Sequence, residues 1–310
     1  MLFSGAAEQF EQRIRERHPS IDLVGVSERE VMNVDRSDVD CIVGWRFPPG
    51  MFGAMPKLKW IQSISVGVED WILDATLSSE VLITNTKGLY ANEIAEYVIW
   101  ASITLSRRLG KAINNQGKRR WRQVTGHGLA GKTIGIVGMG HVGRAIARVS
   151  TSFGMRTIGI SRDGSVAHDW VDEAIPVGDM GSVLDRLDFV VICVPLTNDT
   201  RELFVADVFA AIKEGAIVIN VAREDIVDYV SLLDALKCGH LGGAALDVFN
   251  KEPLPKRSPL WKGQNVLVTP HVSGLTKEYR DKVVDLICEN LTRFRSGQTL
   301  ECVVDRSKGY

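Results

Sequence analysis

One stretch limits what this chain can fold into more than any other: Lys132-Thr133-Ile134-Gly135-Ile136-Val137-Gly138-Met139-Gly140-His141-Val142-Gly143, continuing as Arg144-Ala145-Ile146-Ala147-Arg148-Val149. Ile134, Ile136 and Val137 are β-branched and run into a glycine cluster, which predicts a short buried strand. A helical pattern follows. Gly138, Gly140 and Gly143 make a Gly-x-Gly-x-x-Gly, the turn in which backbone comes close to a pyrophosphate while the helix N-terminus aims its free N–H groups at the anion. Alone, such a pattern also serves as a tight βα turn packed by glycines. Here a strand precedes it, a helix follows it, and a second strand, Arg156-Thr157-Ile158-Gly159-Ile160, lies at βαβ distance, so the context that dinucleotide binding requires is present.

A length of 310 residues suits two domains. The formal charge of −1 predicts neither nucleic acid nor a membrane surface as a partner. No basic segment leads into an apolar run with a small-residue cleavage site, and no apolar run is long enough to span a bilayer, so the expectation is a soluble cytoplasmic protein. Cys41, Cys193, Cys238, Cys288 and Cys302 are scattered without metal-ligand spacing, which predicts reduced thiols and no metal.

Residues 8–18 carry Phe10 and Ile14 at helical spacing on a polar background, and Pro19 stops the pattern. Short apolar runs at 21–26, 41–43, 58–64 and 81–84 predict a small parallel α/β unit. Two glycine-containing loops, 63–69 and 85–91, follow strand ends, where open α/β sheets bind ligands. Residues 92–110 read as one long helix, followed by the basic run Lys118-Arg119-Arg120-Trp121-Arg122, whose charges predict a solvated arm or a subunit contact rather than a phosphate site. Beyond the glycine turn, apolar runs at 189–194, 216–221, 243–248 and 266–268 predict strands covered on both faces. A helix over 230–238 stops at Gly239, and a last helix over 276–295 is expected to return the chain to the first domain. The domains are thus expected at 1–90 with 285–310, and at 91–284, the latter a doubly wound dinucleotide-binding domain.

Along essentially its whole length the chain resembles the D-isomer-specific 2-hydroxyacid dehydrogenases. The stretches that carry the resemblance are the glycine turn, Val194-Pro195-Leu196-Thr197-Asn198-Asp199-Thr200, Asn220-Val221-Ala222-Arg223, Leu246-Asp247-Val248-Phe249-Asn250-Lys251-Glu252-Pro253-Leu254-Pro255 and Thr269-Pro270-His271-Val272-Ser273-Gly274. Ser258-Pro259-Leu260-Trp261 and the Ser161-Arg162 pair resemble the glyoxylate and hydroxypyruvate reductases within that family. The resemblance implies a Rossmann-type doubly wound domain beside a smaller flavodoxin-like α/β substrate domain, and a homodimer with residues 92–121 in the contact. It implies that Gly138, Gly140, His141, Val142, Gly143, Val194, Pro195, Thr200, Val221, Ala222 and Asp247 line the cofactor, with Asp247 toward the nicotinamide. Val66, Gly67 and Gly88 would present N–H groups to a substrate carboxylate, and the domains would close over it. Tyr90 and Trp45-Arg46 are further candidates for the cleft. One departure stands out: where the family usually has Gly after its active-site Arg, this chain has Glu224, a carboxylate near the substrate loop.

The chemistry can be argued from the residues themselves. Reducing a 2-keto acid needs a cation for the carboxylate, a proton donor for the carbonyl oxygen and a hydride held over the carbonyl carbon. Arg223, after a strand end, offers a permanently charged bidentate fork. His271 is placed as the acid, and Glu252 could hold the ring's other nitrogen, fixing the tautomer and favouring the protonated form. For the cofactor, a NAD site carries an acid near the end of the second strand for the ribose 2′-hydroxyl. Here that strand ends in Ser161-Arg162, suited to a 2′-phosphate, so NADP is expected; Asp163 leaves NAD possible if the strand ends later. A phosphoglycerate-type dehydrogenase is a same-fold alternative, disfavoured for want of the extra regulatory domain such enzymes often carry. A formate-oxidising branch has Gln where this chain has Glu252. A dinucleotide-sensing interaction protein with little turnover is the alternative from another class.

Overall fold

The computed structural model describes residues 2–4, 8–26, 30–45, 47–72, 74–166, 168–263 and 265–309; Arg46 lies outside the described residues. In chain order the elements are β1 (Leu2–Ser4), α1 (Glu8–Arg17), β2 (Val24–Val26), β3 (Cys41–Gly44), β4 (Trp60–Ser63), α2 (Glu69–Ile72), β5 (Leu82–Thr84), α3 (Ala91–Ser106), α4 (Leu109–Gly117), β6 (Thr133–Val137), α5 (His141–Ser152), β7 (Arg156–Ser161), β8 (Glu173–Pro176), β9 (Phe189–Ile192), α6 (Ala206–Ala211), β10 (Ile217–Asn220), α7 (Tyr229–Lys237), β11 (Gly243–Leu246), β12 (Val266–Val268) and α8 (Tyr279–Arg295). They divide into a unit of Met1–Leu89 with Thr276–Tyr310 and a unit of Tyr90–Leu275. A boundary at 284/285 falls inside α8. The parting comes at 275/276 instead, because α8 is a continuous helix packed along α1 and stays whole in the smaller unit.

The smaller unit holds a parallel sheet in the order β2-β1-β3-β4-β5, the flavodoxin-like order. Ile42, Ile61 and Ile83 on neighbouring strands bury against Met51, Phe52 and Trp71. β1 has no periodic signal of its own, yet it pairs with both β2 and β3. The run at 21–26 is strand only over Val24–Val26. Four fully buried polar side chains form one network: Trp60 Nε1 donates to Thr84 Oγ1 at 2.8 Å, Thr84 Oγ1 donates to Gln62 Oε1 at 2.8 Å, and Asn290 Nδ2 of α8 donates to Gln62 Oε1 at 2.9 Å. These four partner one another, as an apolar surrounding requires. Because β4 and β5 run parallel, the two glycine loops leave the same edge and are stitched together: Thr86 N donates to Ser65 O at 3.2 Å and Asn85 Nδ2 to Val66 O at 2.8 Å.

The larger unit is a seven-stranded parallel sheet in the order β12-β11-β10-β9-β6-β7-β8. Alternate residues of one strand feed two separate cores: Val190 and Ile192 of β9 pack with Val137, Ile160 and Val218 on one face, while Phe189 and Val191 pack with Ile136, Ile146 and Val98 on the other. This period of two, with both faces covered, is why the strands read as unbroken apolar runs. β8 lacks such a run. It is an edge strand, and its Glu173 is paired with Arg156 and Arg186. The helix expected over 92–110 is two helices. α3 ends at Ser106 because His127 N donates to the Ser106 carbonyl at 3.0 Å, taking the acceptor that residue 110 would need, and Arg108 turns left-handed at φ 53° before α4 begins.

Candidate active site

Strand order reverses between β6 and β9, and the crevice beyond their C-terminal ends is where an open sheet of this kind takes its ligand. Gly138 sits there at φ +110°, and a side-chain carbon on it would lie 2.8 Å from the Cys193 backbone. A carbon on Gly143 would lie 1.9 Å from the Gly138 carbonyl oxygen. Both positions therefore exclude any side chain. The space at Gly140 is open, and α5 begins after it with no side-chain cap, leaving the first-turn N–H groups of His141, Val142 and Gly143 without intrahelical partners. Cys193 donates its S–H to Gly138 O at 3.1 Å, and burial pushes this thiol up to about 12.

At the end of β7, Ser161 Oγ is buried with no hydrogen-bond partner among the described residues, an unmet polar atom at the point where a dinucleotide's ribose end falls. Arg162 follows it and is exposed. Asp163 turns back on its own loop, accepting from Ser165 N at 3.0 Å and Ser165 Oγ at 2.6 Å; these bonds hold its carboxyl below the usual carboxylate range. An uncapped helix start, a glycine cradle and an orphaned hydroxyl fit a dinucleotide carrying phosphate at both ends of its adenosine half. After β9, Val194 and Pro195 begin a loop that Thr200 closes: its Oγ1 donates to Pro195 O at 2.7 Å and accepts from Thr197 N at 2.8 Å. Thr200 thus shapes this loop as well as lying in it.

Three further loops hold Arg223, Glu252 and His271. Asn220, fully buried at the end of β10, accepts from Ala222 N at 3.0 Å and donates to Arg223 O at 3.0 Å, so one amide bends the Val221-Ala222-Arg223 turn. After β11, Glu252 accepts from Phe249 N at 2.9 Å, and its oxygens lie 3.0 and 3.1 Å from His271 Nδ1. A carboxylate only accepts, so Nδ1 carries the ring proton and Nε2 is the nitrogen free to exchange one. The His271 side chain keeps 40% of its exposure and Glu252 29%, enough for a small molecule to reach the ring.

Asp247 is fully buried and holds the His271 turn from both sides: Oδ1 accepts from Thr269 Oγ1 at 2.6 Å and Val272 N at 2.9 Å, and Oδ2 accepts from Ser273 N at 2.8 Å. His271 itself is left-handed at φ 54°, a conformation the grip of Asp247 on the two following amides sustains. Tyr97 of α3 completes the chain. Thr269 spends its proton on Asp247, so Tyr97 must donate across the 2.7 Å contact between the two hydroxyls; burial raises the Tyr97 phenol well above its ordinary range. Asn220 and Thr269 stand inside the motifs, but their roles, like that of Tyr97, show only in their partners. In Tyr97 the one available signal is a hydroxyl in an otherwise apolar helix stripe.

In the smaller unit, Val66 is 41% exposed and Ser65 Oγ donates to Gly67 O at 2.8 Å, with Gly88 in the adjoining loop. Trp45 of this unit is half exposed, and Tyr90, the first residue of the larger unit, is buried.

Comparison with known proteins gives a consistent result. The family model for the D-isomer specific 2-hydroxyacid dehydrogenase NAD binding domain matches residues 99–273. A glyoxylate reductase of Thermofilum pendens is 32% identical over 300 residues, covering 93% of this chain and 87% of the relative. An NADPH-dependent glyoxylate/hydroxypyruvate reductase of Sinorhizobium meliloti, solved with NADP and sulfate, superposes with a TM-score of 0.89 at 30% identity, covering 100% of this chain and 99% of that one. A D-isomer specific 2-hydroxyacid dehydrogenase of Xanthobacter autotrophicus, solved with NADPH and MES, gives a TM-score of 0.88 at 29% identity over 100% and 99% of the two chains.

Proposed function

The chain belongs to the D-isomer specific 2-hydroxyacid dehydrogenases, and from that premise we propose that it reduces small 2-keto acids, glyoxylate and hydroxypyruvate foremost, using NADPH in preference to NADH. The observation that carries the reading is the His271–Glu252 pair, standing with Arg223 at the C-terminal ends of β10, β11 and β12. Arg223 grips the substrate carboxylate and carbonyl oxygen through its planar fork. His271 delivers a proton from Nε2 to the carbonyl oxygen as negative charge develops there, and Glu252 stabilises the imidazolium and keeps Nδ1–H oriented. When bound, the reduced nicotinamide supplies the hydride. The smaller unit, with Val66, Gly67 and Gly88 in its glycine loops, is on this reading the substrate domain, and Tyr90–Leu275 the dinucleotide-binding domain. Asp247 acts on the reaction by holding the His271 turn.

The NADPH preference rests on the Ser161-Arg162 pair at the end of β7 and on Asp163 being held mainly by Ser165, with Ser161 as its weaker neighbour. Ser161 donates to a 2′-phosphate and Arg162 meets its charge, whereas a carboxylate at that place would repel it. The relatives solved with NADP or NADPH support the same choice. The protein acts as a cytoplasmic homodimer: Trp100, Leu109, Ile113 and Trp121 on α3, α4 and the following segment leave large apolar side chains exposed, Trp121 fully, as a contact surface requires. Among the described residues no helix is long and apolar enough to cross a membrane, and no cluster of candidate metal ligands occurs. The test is kcat/KM over a panel of 2-keto acids with each cofactor, repeated with Arg162→Ala. Turnover of glyoxylate or hydroxypyruvate, with an NADPH preference that drops about tenfold or more in the variant, is expected. Cofactor binding without turnover on any 2-keto acid would instead mark a dinucleotide sensor.

A further inference from the structure

Two carboxylates follow Arg223 in the chain and a third, Glu252, neighbours the first of them. Asp225 is ion-paired with Arg201. Glu252 faces His271 at 3.0 Å, and Arg223 is committed to the substrate's own carboxylate on the reading above. Glu224 remains. Among the described residues no cation pairs with it, and its one hydrogen bond is from Asn250 N, at 2.5 Å. That bond fixes where the charge sits. Phe249 N holds Glu252 and the very next amide, Asn250 N, holds Glu224, so two carboxylates stand side by side on one turn, one of them belonging to the acid/base pair. Glu224 cannot swing to solvent without giving up this amide, and it is half-buried. Burial, with Asp225 and Glu252 as neighbours, pushes its carboxyl above the ordinary carboxylate range.

We propose that Glu224 is a specificity-determining residue that selects monoanionic 2-keto acids and rejects those with a second carboxylate or a phosphate. The inference rests on the 2-keto acid reading of this site. A four-carbon diacid is shorter than the roughly 8–10 Å over which charge acts in physiological salt. With its first carboxylate held by Arg223, its distal carboxylate lies within the range of Glu224, the next residue along the chain, where like charge is disfavoured. Uncharged substituents, such as the hydrogen of glyoxylate or the hydroxymethyl of hydroxypyruvate, meet no such penalty.

The test uses the NADPH-loaded protein and two acids that differ by one carboxylate. Dissociation constants for D-lactate and D-malate, neither of which turns over with reduced cofactor, are measured by calorimetry for the parent and for Glu224→Gln, which keeps an acceptor for Asn250 N while removing the charge. Glu224→Ala, lacking both, serves as a second variant should the first fold poorly. The parent is expected to bind malate far more weakly than lactate, and Glu224→Gln to close that gap about tenfold or more. A gap unchanged in both variants, a parent that binds the two acids equally, or a parent that binds neither, overturns the proposal. A kinetic panel of hydroxypyruvate against oxaloacetate on the same proteins separates the two readings. Loss of all turnover with the malate gap still closing removes the enzymatic reading and leaves the charge selection standing.

Discussion

Within the larger unit the two ends of the proposed site, one assigned to the cofactor's phosphates and the other to the chemistry, are built from different materials. The phosphate end is backbone: three glycines and the first N–H groups of α5, contiguous in sequence, with Gly138 and Gly143 so close to neighbouring main chain that no side chain fits. The chemical end is side chain: Asn220 bends the Arg223 turn, Phe249 N and His271 hold Glu252, and Asp247, Thr269 and Tyr97 hold the His271 turn, through hydrogen bonds of 2.6–3.1 Å. One end fails when volume is added. The other fails when a hydrogen bond is lost. Backbone recognition of an anion needs only close approach, whereas a proton donor must be aimed, and aiming takes partners on several elements.

The sharpest way to separate the two ends is His271→Ala. It is expected to lower kcat for 2-keto acid reduction by roughly 10²–10⁴, with cofactor affinity nearly unchanged in fluorescence titration. Near parental turnover would remove His271 from the chemistry. Gly143→Ala should do the converse, since its new carbon falls 1.9 Å from the Gly138 carbonyl oxygen. Cofactor binding is expected to weaken about tenfold or more and stability to drop by about 1–3 kcal/mol, read by titration and urea unfolding. A variant that binds cofactor like the parent would show the turn to be looser than its contacts imply.

Within the chemical end, Thr269→Val leaves Asp247 and Tyr97 without their shared partner and should cost about 1–3 kcal/mol, while Tyr97→Phe, which removes only the outermost bond, should cost about 0.5–1.5 kcal/mol. Both should lower kcat more than they raise KM, because they loosen the His271 turn without touching Arg223. A change in KM alone would place the network with substrate binding.

The smallest expected effect concerns pH. Glu224 has its carboxyl raised in the fold, by burial first and then by Asp225 and Glu252, so its ionised form is disfavoured there relative to the unfolded chain. The penalty is present above the raised value and disappears below the ordinary one. Glu224→Gln should therefore raise Tm at neutral pH by about a degree or two, with the gain shrinking as pH falls through the Glu224 range. A gain that is constant with pH would mean that charge is not its source.

What the sequence could determine was whatever depends on neighbours along the chain. The strand–glycine turn–helix at 132–149 is legible because its turn and helix start are set by local dihedrals and sterics, and the buried strands are legible because both their faces are apolar. Arg223, Glu252 and His271 could be named from motifs, each being the polar residue after a strand or beside a proline. The tertiary structure alone decided the rest. The end of α3 at Ser106 depends on His127, a residue 21 positions away that takes its carbonyl. β1 forms only because β2 and β3 flank it. Asp247 and Tyr97 meet at Thr269, and Glu224 meets Asn250, across separations that no local pattern encodes. The reason is physical: a backbone conformation is a property of a few consecutive residues, but a satisfied buried hydrogen bond is a property of two groups that only the completed fold brings together.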